Sequence, residues 1–424
     1  MIHFFTLFVF VLAYVLFVVL PGKRALTACA GAAVLVIGGA VPWHNALFEH
    51  INWNVIALFF GTLILAELFM QSRMPAVMAE ALVRHTRTLW GAMMGLCLLA
   101  SFLSMFLENV AVVLLVAPVA LSLAEQAGVR PTRLLFLIAM FSNLQGTATL
   151  IGDPPSMILA GYMRMTFNDF FFYHGRPGLF FAVQAGALAA FAVAGWLLRK
   201  YRRPVEKANV EKPRALTPTF LLIALVIGLS LSSLFDREFK WLAGTWTLAL
   251  AAVGLLWYRL GPRWTKVRHV IRLLDWPTTF FLMGVFVLVG GLADSLWLDR
   301  LASAMSVWVG HSRSSAFFLL VGVSMLISGF VDNVPFLLAM IPVAKTVAQN
   351  MGTPPEFLLF GLLIGTCLGG NITPIGASAN IVTVGILRKR GDPVGFGAFL
   401  RVGMPFTLAA VAASAAFLWI FWSR

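Results

Sequence analysis

Phe106-Leu-Glu-Asn-Val110 and Gly146-Thr-Ala-Thr-Leu-Ile-Gly-Asp-Pro-Pro155 are polar islands in an apolar stretch from Ser104 to Gly161. The stretch from Ser328 to Gly385 aligns with it without a gap, at a constant offset of 224. Ser104 falls on Ser328, Glu108 on Asp332, Asn109 on Asn333, Pro118 on Pro342, Gly146 on Gly370, Thr149 on Thr373 and Gly152 on Gly376. Chance aligns apolar residues easily. It does not readily place Asn, Pro, Gly and Thr on one register. The match reads as an internal duplication, which in a membrane chain points to a transporter.

The solvent of this chain is lipid. Hydrophobic residues make up 60% of its 424 and charged residues 11%, and mean hydropathy is +0.90. A soluble domain carries about 25% charged residues. The first 20 residues lack a basic n-region and an A-x-A site, so they read as an uncleaved span. Cys29, Cys97 and Cys367 lie in apolar runs and suggest neither a disulfide framework nor a metal motif.

Apolar runs long enough to span lie near 3–20, 25–42, 53–71, 177–198, 217–234, 241–258, 276–294 and 402–422. Each repeat motif lies between these and has two parts. One is a helical pair meeting at Glu108-Asn109 (about 89–125) or Asp332-Asn333 (about 314–349), which reads as a re-entrant hairpin. The other is a run broken by Gly146 to Pro155 (about 133–163) or by Gly369 to Ser378 (about 356–388). Irregular backbone at membrane depth is tolerated only where protein or a water-filled cavity satisfies it, and paired breaks point to a transport site.

The expected fold is an all-α integral membrane protein. Five spans, one of them discontinuous, and one hairpin per half make the two repeats inverted. They cover 1–200 and 217–424, joined by a cytoplasmic linker at 201–216. Of 31 Lys and Arg, 23 fall in the loops this topology assigns to the cytoplasm, with both termini outside. The same loops account for the net charge of +14 through lipid contact rather than nucleic acid.

An ionisable group within a span costs about 2.5–3.5 kcal/mol on insertion scales. Glu67, Glu108, Asp153, Asp294 and Asp332 are the candidates. Glu67 and Asp294 lie toward span ends and read as interfacial. Glu108 and Asp332 stand at the tips, where a carboxylate either caps the following helix or serves the solute. Asp153 precedes Pro154-Pro155 and either caps the second half-helix or titrates as the proton-coupling group. Its counterpart is Ala377. Asn109, Gly146, Thr147, Thr149, Asn333, Gly370, Asn371, Thr373, Ser378 and Asn380 are the expected solute-binding set. No Arg or Lys falls at either tip or break. A di- or tricarboxylate would ordinarily want such a cation, so the expected solute is neutral or weakly charged. Without a Walker A motif, a Ser/His/Asp set or a His/Cys cluster, no enzyme, cofactor or metal site is expected.

Together the four motifs resemble the ArsB/P-protein branch of the ion transporter superfamily. That branch includes ArsB-type arsenite permeases, P-protein-like anion channels and NhaD-type sodium/proton antiporters. The resemblance covers nearly the whole chain. It implies elevator-type alternating access, a scaffold that often dimerises, and residence in a bacterial inner membrane. It also implies arsenite or antimonite export in exchange for protons or driven by the membrane potential, with a soluble arsenic-pump ATPase as a further partner. Asp153, Glu108 and Asp332 are then the proton-coupling candidates. Glu108 stands where Asp is commoner in the branch, and Gln145 and Ser156 where Gly and Asn are. The Ser-Asn-Thr tip signature of dicarboxylate/sodium symporters is missing from both tips, which argues against succinate or citrate.

Overall fold

The structure, a computed structural model, describes residues 2–204, 212–261, 267–309, 312–392 and 394–423. Part of the linker predicted over 201–216 lies outside the described residues, as do Lys207, Arg263, Lys266 and Arg424 of the charge pattern.

The first half runs α1 (Ile2–Val19), α2 (Arg24–Ile37), α3 (Trp43–Asn45), α4 (Trp53–Gln71), α5 (Met74–His85), α6 (Leu89–Ser104), α7 (Asn109–Gln126), α8 (Thr132–Gly146), α9 (Pro154–Met163) and α10 (Leu179–Leu198). The second runs α11 (Thr217–Phe235), α12 (Leu242–Leu260), α13 (Val267–Leu273), α14 (Trp276–Asp294), α15 (Trp297–Val309), α16 (Arg313–Ser328), α17 (Asn333–Asn350), α18 (Glu356–Gly369), α19 (Ser378–Lys389) and α20 (Phe396–Trp422). A two-residue ribbon, β1 (Phe172–Tyr173) with β2 (Arg176–Pro177), precedes α10. The α6–α7 and α16–α17 hairpins turn at Glu108 and Asp332, and residues 147–153 and 370–377 break α8 from α9 and α18 from α19.

Sequence reading misses the amphipathic α5 and α15. Each follows a residue with left-handed backbone, Arg73 and Leu296, both at φ 58°. They sit one residue off the main register (296 − 73 = 223).

The halves interlock. α4 packs on α12, α2 on α14 and α10 on α20, while α7 meets α19 and α9 meets α17. The equivalent crossings use equivalent glycines. A Cβ on Gly61 of α4 would stand 3.0 Å from the Thr247 carbonyl carbon of α12, and one on Gly284 of α14 would stand 2.6 Å from that of Ala28 on α2. Without a hydrophobic drive between helices in lipid, close approach of this kind supplies the association energy. Two groups result. α1, α2, α4, α11, α12 and α14 pack with one another, and α6 to α10 pack with α16 to α20.

Glu67 lies one turn from the end of α4. It is buried on α4 and accepts from Gln71 at 2.8 Å, whose side-chain oxygen accepts from Tyr258 of α12 at 2.6 Å. Asp294 does stand at a helix end, 3.0 Å from His50.

The glycine crossings make a stability test. Gly284→Val inserts atoms where α2 backbone already lies, and overpacking of this sort costs about 1–3 kcal/mol. We expect a lower melting temperature in detergent. Gly322→Val, where a Cβ meets nothing within 4 Å, should melt like wild type.

Candidate functional site

Each hairpin tip is one sharp reversal between two helices, and its tip carboxylate closes the second helix. Glu108 Oε2 accepts from the N–H groups of Val110 and Ala111, both at 3.1 Å. Asp332 Oδ1 accepts from Val334 N–H at 3.1 Å. These groups would otherwise be orphaned at a helix start. Of the two readings open for each carboxylate, the geometry makes capping a fact at both.

The following Asn is tied backward. Ser104 Oγ donates to Asn109 Oδ1 at 2.9 Å and Ser328 Oγ to Asn333 Oδ1 at 2.6 Å. The same hydroxyls approach the broken helices, 2.7 Å from the Ser142 carbonyl and 2.5 Å from the Thr366 carbonyl. Thr149 donates to the Met105 carbonyl, and Thr373 to that of Gly329. Each tip is thus bolted to the break of its own half, by the same bonds 224 residues apart. Glycine makes room for this. A Cβ on Gly152 would meet the Gly146 and Ser104 carbonyls, and one on Gly376 those of Gly370 and Gly329.

A second network joins the halves. Asn109 Nδ2 donates to Asn143 Oδ1 at 3.3 Å. Asn143 Nδ2 in turn lies 2.8 Å from the Cys367 carbonyl and 3.1 Å from Asn371 Oδ1. Asn371 Nδ2 returns to the Met140 carbonyl at 3.0 Å. Asn380 Nδ2 spans the second break, 3.0 Å from the carbonyls of both Gly370 and Thr373.

Above this network opens a cavity of about 560 Å³. Both tips (Glu108, Asn109, Asp332, Asn333), both breaks (Asn143, Asp153, Ser378) and the starts of α2 and α14 (Lys23, Arg24, Asp275, Thr278) line it. From the expected set it gathers Asn109, Asn333, Ser378, Glu108, Asp153 and Asp332. Gly146, Thr147, Thr149, Gly370, Asn371, Thr373 and Asn380 do not line it. The polar ones among them are struts under the floor, and Thr147 leans on the Asn143 carbonyl at 3.5 Å.

Asp153 is 7% exposed and among the described residues makes no capping bond to α9. That leaves the capping reading without support. It meets Asn109 over Gly146, where a Cβ would lie 3.2 Å from Asp153 Cβ and against the Asn109 amide oxygen.

The expectation of a cavity without cations is corrected by Arg24, whose Nη1 lies 2.6 Å from Asp332 Oδ2, with Lys23 beside it on the lining. The sequence reads 25–42 as one span and puts Arg24 in the loop before it. The helix stops at Ile37, before Gly38-Gly39. Fourteen residues rise about 21 Å, and the first of them, Arg24, reaches the second tip. The early glycine pair was the available signal. The half-helix starts differ too. Ser378 and Ala379 open α19 with backbone N–H groups, whereas α9 opens with Pro154 and Pro155, which have none.

Hairpin tips and broken helices closing on a polar cavity, inside a bundle this apolar, are the build of a multi-pass membrane transporter. The chain belongs to the CitMHS family, described as citrate transporter, whose profile matches residues 14–257 and 239–424. It is 30% identical over 420 residues to an uncharacterized transporter of Mycobacterium tuberculosis, covering 97% of each chain. It is 27% identical to the P protein of Mus musculus over 93% of this chain and 57% of that protein. In fold it is similar to the YdaH transporter of Alcanivorax borkumensis (TM-score 0.61, 15% identity, 91% of this chain and 87% of that one). It is likewise similar to Neisseria gonorrhoeae MtrF (TM-score 0.62, 13% identity, 92% and 84%). Family and neighbours are transporters, not enzymes.

The struts separate support from solute contact. Thr149→Val removes one hydrogen bond and Thr373→Val two, since Thr373 Oγ1 also accepts from the Ile375 N–H at 3.3 Å, each a loss of about 1–2 kcal/mol. We expect lower melting temperatures with the KM of the transported solute unchanged.

Proposed function

We propose that the chain is a proton-coupled secondary transporter for a small carboxylate-bearing anion. The observation that carries this reading is the meeting, in one cavity, of Lys23 and Arg24 with the Asn109 and Asn333 tips and Ser378. The partial positive charge at the start of α19 adds to those cations. The family description, citrate transporter, agrees in chemical class.

In this reading the two repeats, 1–200 and 217–424, are inverted and the segment 201–216 links them. The hairpins and broken helices move with α10 and α20 against the remaining group in an elevator-type cycle. The cavity opens beside Lys23 and the start of α14, the side given the basic loops, so the conformation faces a bacterial cytoplasm with both termini outside. Asp153 is the proton-coupling carboxylate, because it is buried in the cavity wall and is not consumed by capping. Glu108 and Asp332 are secondary candidates that also hold α7 and α17.

A second reading keeps arsenite or antimonite as solute. The amides of Asn109, Asn143 and Asn333 with the hydroxyls of Thr278 and Ser378 favour it, since neutral arsenite resembles a small polyol. Arg24 and Lys23 then have no solute role.

Proteoliposomes carrying the purified full chain decide between them. We expect an imposed proton gradient to drive saturable uptake of radiolabelled citrate or succinate, and arsenite not to compete. Gradient-driven arsenite uptake without carboxylate uptake reverses the assignment, and flux that ignores the gradient removes proton coupling altogether. Asp153→Asn should abolish gradient-driven accumulation while leaving counterflow exchange.

A further inference from the structure

Arg24 belongs to the group of α1, α2, α4, α11, α12 and α14, and it reaches across to the second tip of the other group. Its root is fixed, because Nε donates to the Phe17 carbonyl of α1 at 3.4 Å. Its head is not fully engaged. Nη1 pairs with Asp332 Oδ2 at 2.6 Å, and among the described residues Nη2 donates to none. Both side chains remain partly open to the cavity, Arg24 at 23% and Asp332 at 19%.

The pair is not what holds the tip together. Asp332 caps α17 with its other oxygen, Oδ1. The first tip closes in the same manner through Glu108 Oε2, and among the described residues no ion pair reaches it. Tyr14 of α1 also donates to the Pro335 carbonyl, which docks the second tip on α1 independently of the arginine. A guanidinium offers paired donors matched to a carboxylate. With one arm on Asp332 and the other open to the cavity, it already has the partner type that an anionic solute would supply.

We propose that Arg24 is the anchoring cation for the solute and that Asp332 is an internal stand-in for the solute carboxylate. Loading moves Arg24 from Asp332 to the solute, so the cation is never left unpaired in a low-dielectric site. The empty carrier keeps the second tip clasped to α2, and the loaded carrier lets it go. This rests on the carboxylate-anion reading above.

The test is the direction of the KM shift for citrate or succinate in proteoliposomes of the full chain. Asp332→Asn keeps an oxygen for the Val334 cap and frees Arg24, so KM should fall roughly tenfold, the scale of one charge-assisted hydrogen bond. Arg24→Gln should raise KM by about tenfold or more on the same grounds, Arg24→Lys should raise it less, and the double variant should follow Arg24→Gln. A purely structural clasp gives the opposite pattern, with both single variants raising KM or lowering melting temperature together. That pattern, or an unchanged KM in Asp332→Asn, overturns the inference while carboxylate uptake by wild type still upholds the parent reading. If wild type carries no carboxylate, the parent reading fails first and the inference with it. Should Asp332→Asn not fold, Asp332→Ser, whose hydroxyl also caps, makes the same measurement.

Discussion

Every backbone N–H and C=O inside a bilayer must find a partner within the protein, and this one requirement shapes the centre of the molecule. Two tips and two breaks interrupt helices around the cavity. Ser104, Ser328, Thr149 and Thr373 meet that need in mirrored pairs, reaching from one irregular segment to the carbonyls of the next. The glycines at 152 and 376 let those carbonyls approach. What looks like a polar site is therefore two layers. The lower layer satisfies the chain and the upper one faces the cavity.

The cavity lies where the two helix groups meet. One group contributes carboxylates and amides from tips and breaks, and the other contributes cations and Asp275 from the starts of α2 and α14. Because charge of one sign comes chiefly from one group and charge of the other sign from the second, a displacement between them changes the field at the solute. An ion pair such as Arg24–Asp332 is weak evidence of stability when desolvation opposes Coulomb attraction. It is better understood as a contact whose strength depends on how the two groups stand.

The architecture was open to reading because its signals are repeated. Asn109 and Asn333, and Gly146 and Gly370, each vouch for the other through one offset, and α7, α17, α8 and α18 start or end within a residue of them. The site was half open to reading for the same reason. The repeat names the polar residues but not whether a threonine faces a solute or a carbonyl, since both uses need the same hydroxyl. Arg24 stayed hidden because it lies outside the two aligned stretches, and its place at the second tip is a tertiary contact that hydropathy does not register. Asn143, the hub between halves, has Cys367 at its equivalent position, so a search for matched pairs passes over it.

The prolines that open α9 have a consequence of their own. Duplicated backbones hand both copies the same scaffold, but a proline pair erases the donors at one half-helix start while Ser378 and Ala379 leave them on the other. Asp153 then stands on the donor-free side and Ala377 on the donor-rich side. The two half-helix starts therefore present unlike ends to the cavity, a carboxylate beside prolines at one and backbone N–H groups beside an alanine at the other. A solute with unlike ends would meet them one way round, so orientation would count as well as size.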